Sequence, residues 1–171
     1  MSSKTILRLG DPKLWKICKK VKSVDERNVV TTIRCLRDTL NDFKKKNGFG
    51  RAIAASQIGI LKRIIYIDFP KAKLSGAMIN PKIIKQSNEK IRVWDDCFSF
   101  PDLLVKVERA KEIKVQYQTG DGAKRMISAA GDLSELLQHE IDHLDGILAV
   151  ERAVDNKSFA FRSEWEKYWK S

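Results

Sequence analysis

The chain contains only two histidines, His139 and His143, and their spacing restricts the local structure that can use both. They lie in the run QHEIDH, which has the form H-E-x-x-H. On an α-helix, residues i and i+4 project from one face, so both imidazoles can bind one metal ion while Glu140 stands beside it. We therefore predict a helix that carries the centre of a metal-dependent hydrolase. The alternative is a pair of structural histidines with satisfied hydrogen bonds.

A hydrolytic metal site needs a third protein ligand and one position open to water. Cys97 is the best candidate, because it lies where a predicted strand meets a loop that stops at Pro101. A buried structural thiol fits the same position equally well, and sequence spacing does not decide between the two. Glu140 can accept a proton from the attacking water and pass it to a leaving amine.

Composition indicates the class of protein. With 171 residues, of which 43% are hydrophobic, we expect a single domain spanning residues 1–171 with a substantial core. There is no secretory h-region and no apolar run long enough to span a bilayer. The three cysteines, an odd number, argue against a disulfide framework and for a reducing compartment, so we expect a cytoplasmic protein. Cys18 and Cys35 are expected to be core thiols.

The positive charge is unevenly distributed. The net charge is +11, and residues 1–47 carry 13 Lys and Arg against 5 Asp and Glu. Such an excess favours contact with an anionic partner such as RNA. The alternative is a basic face that is merely solvated.

The hydrophobic pattern predicts an α+β fold. Apolar residues at steps of three and four predict three helices. The first is capped by Ser23 or Asp25 and ends near Lys46. The second is the histidine helix at about Asp132–Leu144, and the last lies at about Asn156–Lys170. The short apolar runs between them predict strands at Arg63–Phe69, Met78–Ile84, Lys90–Trp94, Leu103–Val107, Glu112–Gln118 and Lys124–Ser128. Strands without intervening helices indicate antiparallel sheets, packed around a central helix that carries HExxH.

Three segments resemble, in the same order, the three motifs of the peptide deformylases. They are Ala54–Gly59 (AASQIG), Asp95–Ser99 (DDCFS) and His139–Gly146 (HEIDHLDG). The opening segment Ile6–Leu14 (ILRLGDPKL) also resembles the usual start of that family. The similarity therefore covers nearly the whole chain.

This resemblance implies an α+β metalloenzyme that removes the formyl group from the initiator methionine of nascent chains and releases formate. The residues it assigns are Cys97, His139 and His143 as metal ligands, Glu140 as general acid/base, and the Gln57 side-chain amide with the Phe98 backbone N–H as oxyanion donors. It implies one divalent metal ion, generally Fe(II), with zinc, nickel or cobalt able to occupy the site. The implied partners are an N-formylated peptide and, through the basic surface, transient contact with the ribosome; neither DNA nor a membrane is expected.

Two of the motifs depart from the family pattern. In the first, the run GRAI stands where G-φ-G-φ is common, so Arg51 replaces an apolar residue and Ala52 a glycine. In the second, Asp95 and Asp96 replace Glu-Gly, which puts Asp96 next to Cys97. We hypothesise that Arg51 and Asp96 form an ion pair at the mouth of a substrate-binding cleft.

A third departure precedes the histidines, where Asp132 and Glu135 stand in a region that is usually apolar in the family's methionine pocket. Helical spacing places Glu135 on the side of His139, which favours an acidic side-chain pocket and a substrate other than formyl-methionine. We favour the alternative, a capping box in which both side chains satisfy first-turn N–H groups. The remaining alternatives are altered acyl specificity and a metal-binding homologue that has lost catalysis.

Overall fold

The computed structural model describes residues 2–170, so residues 1 and 171 of the predicted domain lie outside it. Within this range the α-helices are α1 (Arg27–Asn47), α2 (Asp132–Leu144) and α3 (Arg162–Tyr168). The strands are β1 (Ala52–Ala54), β2 (Ile64–Phe69), β3 (Leu74–Gln86), β4 (Lys90–Asp96), β5 (Leu103–Ala110), β6 (Glu112–Gln118), β7 (Lys124–Ala130) and β8 (Phe159–Phe161). None of the helices in residues 2–170 has both the length and the apolar character that crossing a bilayer requires.

The strands form two antiparallel sheets, as predicted. The larger has the order β1-β2-β3-β6-β7 and the smaller the order β4-β5-β8. The predicted bounds of α2 and β6 agree with the structure, whereas β3 is several residues longer than predicted. Strand β1 and the short helical turn after it, Ala55–Ile58, were not predicted, because small residues there give no periodic signal.

The larger sheet has helices on both faces, and strand alternation explains how. In β2, Ile65 and Ile67 belong to the core cluster that includes Leu137 and Ile141 of α2. Ile64, which precedes them, belongs to the cluster that contains the buried face of α1, and the intervening Tyr66 packs against that cluster. Successive side chains of a strand point to opposite faces, so one strand serves two layers. Helix α2 is therefore the central, buried helix that the sequence predicts.

Helix α1 ends as predicted but begins differently. Gly48 follows its last turn with φ 77°, the left-handed conformation that glycine adopts without strain. At the other end neither Ser23 nor Asp25 is the cap: the helix begins after Glu26, whose side chain makes no capping bond. Cys18 and Cys35 are buried, which confirms the prediction of core thiols.

The prediction of a long C-terminal helix over Asn156–Lys170 is wrong. The side chain of Asp155 accepts hydrogen bonds from the Lys157 N–H (2.9 Å) and the Ser158 hydroxyl (2.8 Å), a local turn that competes with helix formation. Strand β8 then pairs with Leu103–Val105 of β5. Only the seven residues of α3 remain helical.

Candidate active site

Helix α2 is fixed against β5 by hydrogen bonds to one backbone residue. The Ser134 hydroxyl and the Gln138 amide donate to the carbonyl of Ala110 at 2.8 and 2.9 Å, and the Ala110 N–H donates to Gln138 Oε1 at 3.0 Å. These buried bonds set the rotation of α2 about its axis. As a result the histidine face of the helix is turned towards the end of β4.

Three donor atoms converge at that point. Cys97 directly follows β4, and its Sγ lies 3.2 Å from Nε2 of His143, which lies 3.1 Å from Nε2 of His139. All three side chains are buried, and one ligand atom of each lies within 4.8 Å of the others. The structure thus brings together the three residues that were predicted as ligands. A thiolate and two imidazoles suit an ion of the Fe(II) or Zn(II) type, so the side chains fit a metal.

The two histidines are oriented differently. Nδ1 of His139 lies 2.8 Å from Oδ1 of Asp95, so it carries the ring proton and leaves the Nε2 lone pair directed at the ligand cluster. Nδ1 of His143 is buried and has no hydrogen-bond partner within residues 2–170. His143 is positioned instead by its place on α2, one turn after His139.

Asp95 is part of a buried charge network that sequence analysis missed. Arg109 donates to Asp95 at 3.1 Å and also pairs with Asp142 of α2. Burial alone would raise the pKa of Asp95, but the charges and hydrogen bonds of His139 and Arg109 outweigh it and lower the pKa to about 2. The available signal was the acidic residue that precedes Cys97 by two positions in the second motif.

Glu140 is buried beside the three candidate ligands. Its Oε2 is buried and makes no hydrogen bond to any group of residues 2–170. Burial raises the pKa of Glu140 to about 7, against the opposing charge of His139. The carboxyl is therefore able to take up and release a proton near neutral pH.

Gln57 supplies a hydrogen-bond donor to the same space. Its Oε1 accepts from the Ala54 N–H at 2.9 Å, which fixes the amide so that Nε2 points towards Cys97 Sγ at 3.5 Å and the Ser99 hydroxyl at 3.4 Å. The backbone of Phe98 lies between those two residues. Both predicted oxyanion donors therefore lie next to Cys97.

The ring of Phe98 is held by close packing. It stacks on Phe43 of α1 with ring centroids 3.8 Å apart. Gly50 lies near the tip of the ring, where an added Cβ would come within 2.9 Å of the Phe98 Cζ. Gly50 also has φ 134°, so glycine is required here both for space and for conformation.

Arg51 and Asp96 do not form the hypothesised ion pair. Arg51 donates instead to Glu135 at 2.9 Å and lies over the ring of Phe69, while Asp96 pairs with Arg162 at 2.8 Å. The reason is strand alternation: Asp95 faces α2, so its neighbour Asp96 must point to the other side, towards the C-terminal segment.

The favoured capping box is also wrong. Helix α2 begins after Gly131, and no side chain caps it. Glu135 is buried and turned towards Arg51, while Asp132 is exposed to solvent. Arg51, Ala52, Asp96 and Glu135 all line the cleft of about 290 Å³ that also contains the ligand cluster. The acidic-pocket hypothesis therefore describes the surroundings of Glu135 better than the capping box does.

Comparison with known proteins agrees with this geometry. A family model of polypeptide deformylases matches residues 3–159. The peptide deformylase of Dictyoglomus thermophilum is 38% identical over 150 residues, which cover 88% of this chain and 92% of that protein. The crystal structure of the Thermotoga maritima peptide deformylase has a TM-score of 0.81 at 34% identity, covering 90% of this chain and 99% of that chain. A Synechococcus elongatus peptide deformylase in complex with actinonin has a TM-score of 0.82 at 30% identity, covering 96% and 85% respectively. The chain belongs to the peptide deformylase family.

Proposed function

We propose that this cleft carries out the family's reaction, the hydrolysis of the N-formyl group from the N-terminal methionine of nascent peptides with release of formate. The observation that carries the proposal is the convergence of Cys97 Sγ and the Nε2 atoms of His139 and His143. Beside them lies the buried carboxyl of Glu140, whose Oε2 has no hydrogen-bond partner within residues 2–170. A metal-binding homologue without catalysis would need neither Glu140 nor the Gln57 amide in this position.

Cys97, His139 and His143 would hold one divalent metal ion. When bound, such an ion lowers the pKa of water from about 15.7 towards 7 and so makes hydroxide available at neutral pH. We propose Fe(II), the metal that the family generally uses, while zinc, nickel and cobalt also accept this set of donors. The side chains support these metals equally, so metal analysis has to decide among them.

Glu140 is proposed as the general acid/base. Its position next to His139 allows the carboxylate to accept a proton from the attacking water and to return it to the amine that leaves. The burial that raises its pKa to about 7 matches this double role, because a group that exchanges protons best has a pKa near the working pH.

Gln57 and Phe98 are proposed as oxyanion donors. During attack, negative charge develops on the formyl oxygen, and donors fixed in advance stabilise it without reorganisation. The Gln57 amide is fixed by its bond to the Ala54 N–H. The Phe98 backbone is held in place by the contacts of its ring with Phe43 and Gly50.

Asp95 and Arg109 are proposed as positioning residues. Asp95 orients the His139 ring, and Arg109 compensates the charge of Asp95 in a buried site. A carboxylate that accepts the free N–H of a ligand histidine raises its basicity and fixes its orientation. Neither residue needs to touch the substrate.

Arg51, Ala52 and Glu135 are proposed to line the side-chain pocket, with Asp96 at its rim. The Arg51–Glu135 pair makes one wall of this pocket charged. We propose that formyl-methionine is the main substrate and that the pair extends acceptance to polar side chains, which can hydrogen-bond to a guanidinium or a carboxylate. A purely apolar wall would reject such side chains because their polar groups would be left unpaired.

The location and partners are proposed as follows. Residues 1–171 act as one domain, which the family match over residues 3–159 supports. The three cysteines are all free thiols, which supports a reducing compartment, the cytoplasm. Basic surface would allow transient contact with the ribosome, where formylated chains emerge.

The test is a formate-release assay on protein purified without oxygen, because a ferrous site beside a thiolate is sensitive to oxidation. We expect one equivalent of metal per chain and release of formate from formyl-Met peptides. Removal of the metal by a chelator should abolish activity, and Fe(II) should restore it. Stoichiometric metal without any formate release would instead indicate a homologue that has lost catalysis.

A further inference from the structure

A second concave surface, which we call the lysine basin, lies outside the active-site cleft. It is bordered by Lys20, Lys22, Lys82 and Lys124 and has a volume of about 810 Å³. It shares no lining residue with the cleft that contains the ligand cluster. Nothing in the proposed hydrolysis uses it.

Two of its lysines are placed by strand register. Lys82 of β3 lies opposite Gln116 of β6, and Lys124 of β7 lies opposite Gln118 of the same strand. Gln116 and Gln118 are two residues apart, so their side chains lie on one face of β6. Strand β6 thus presents two carboxamides, each with a lysine on the neighbouring strand beside it.

The other two lysines are held there by Asn80. Its Oδ1 accepts from the Val21 N–H at 2.8 Å, and its Nδ2 donates to the Val21 carbonyl at 2.9 Å. Asn80 has φ 51°, a left-handed conformation that asparagine tolerates better than most residues. These two bonds fasten the backbone between Lys20 and Lys22 to the larger sheet, so all four lysines branch from one continuous surface.

The charge of the basin is not compensated. None of its four lysines forms a salt bridge within residues 2–170. The single acidic residue in the lining, Asp145, is paired with Arg63. Cations that are gathered in a concave surface without counter-charges create a local positive potential that attracts anions.

We propose that the lysine basin binds the phosphodiester backbone of RNA. A flexible strand with one charge per nucleotide can enter a concave surface and meet several cations at once, which a flat anionic bilayer cannot do. The Gln116 carboxamide can both donate and accept hydrogen bonds, and Gln118, whose Oε1 accepts from Asn80 at 3.2 Å, can donate through Nε2; these groups match the 2′-hydroxyl that distinguishes RNA from DNA. The basin would hold the enzyme on an RNA surface while the separate cleft stays open to peptide.

The experiment compares two variants of the metal-loaded protein in which the same number of charges is removed. The basin variant carries Lys20→Gln, Lys22→Gln, Lys82→Gln and Lys124→Gln. The control variant carries four changes at exposed lysines outside the basin that form no salt bridge: Lys45→Gln, Lys71→Gln, Lys90→Gln and Lys157→Gln. Binding of a fluorescein-labelled single-stranded RNA is followed by anisotropy over a range of salt concentrations.

We expect the affinity of the basin variant for RNA to be lower by about tenfold or more. The slope of log K against log salt concentration should become shallower by about 0.7 for each phosphate that the protein no longer neutralises. The control variant should keep most of the affinity and the slope. Formate release from a short formyl-Met peptide should be the same in both variants and the parent, which shows that folding and the cleft are intact.

Three outcomes would overturn the proposal. Equally weakened binding in the two variants would mean that RNA responds only to net charge. Binding of a DNA strand of the same sequence as tightly as RNA would remove the role of the 2′-hydroxyl. A preference for phosphatidylserine vesicles over RNA would assign the basin to a membrane surface.

Discussion

The two ends of the active-site cleft use buried charge in different ways. At the metal end, Asp95 contacts both His139 and Arg109, so each charge has more than one partner. At the side-chain end, where the substrate side chain would bind, Arg51 and Glu135 share a single hydrogen bond, and the Arg51 side chain remains 34% exposed. A network with several partners fixes geometry, whereas a single half-exposed pair can open and adapt. We therefore expect changes at the metal end to affect turnover strongly and changes at the other end to affect selectivity.

The largest effect is expected from Glu140→Gln. Glutamine has nearly the same shape but cannot accept and return a proton, so kcat should fall by about 10²–10⁴-fold. Metal content should stay at the parent level, because Glu140 is not among the ligands. The measurements are formate release and metal analysis on the same preparation. A variant that keeps its turnover would show that another group transfers the proton. Changes at the metal end would then no longer be expected to affect turnover more than changes at the side-chain end.

Gln57→Leu should have the next largest effect. The change removes the Nε2 donor while preserving approximate volume, and loss of one oxyanion donor typically lowers kcat by about 10²–10³-fold. Since the donor acts on charge that develops in the transition state, KM should change little. Steady-state kinetics on a formyl-Met peptide separate the two parameters. A rise in KM with an unchanged kcat would show that Gln57 binds the ground state only.

A matched pair of neighbours tests the positioning network. Asp95→Asn removes the charge that orients His139 and compensates Arg109, so metal affinity or activity should fall by about 10–100-fold. Asp96→Asn makes the same chemical change one residue later and should leave metal affinity near the parent level, because Asp96 pairs with Arg162 and with none of the proposed ligands. Metal affinity is measured by competition with a chelator, and activity by formate release. Similar decreases in both variants would mean that the effect comes from net charge near Cys97.

The same pair of neighbours shows what the sequence could and could not predict. Helical spacing is local, so it was sufficient to place His139, Glu140 and His143 on one face of a helix whose bounds were also correct. Strand alternation predicts that Asp95 and Asp96 face opposite ways, but not which of them meets α2. That choice depends on how α2 is fixed to β5 at Ala110, a contact between residues far apart in the chain.

The Arg51–Glu135 contact joins residues that are 84 positions apart, so no local pattern could indicate it. The capping box was a reasonable local alternative because the spacing of Asp132 and Glu135 fits it. In the structure the ion pair takes Glu135 away from the helix N-terminus. The prediction of a long C-terminal helix was wrong for a similar reason: the pairing of β8 with β5 is a tertiary contact that overrides helix propensity.

The smallest effects are expected at the side-chain end, where a double-mutant cycle on Arg51 and Glu135 tests whether the pair is a unit. Arg51→Leu leaves the carboxylate of Glu135, which is only 8% exposed, without its partner. The free energy of unfolding should fall by about 1–3 kcal/mol. Glu135→Leu should cost less, because Arg51 is more exposed and can turn towards solvent. The double variant should recover most of the stability, since replacing both partners by apolar groups removes the unpaired charge.

The same double variant tests selectivity. An apolar wall should lower kcat/KM for a peptide with a formylated glutamine relative to one with formyl-norleucine, by about tenfold, because the polar side chain would then have no hydrogen-bond partners on binding. Turnover of formyl-Met should stay within a few-fold of the parent, since neither residue is among the proposed ligands or proton-transfer groups. Chemical denaturation gives the stabilities, and formate release gives the ratio. An unchanged ratio of the two kcat/KM values together with a recovered stability would show that the pair serves folding alone and does not contribute to selection of the substrate side chain.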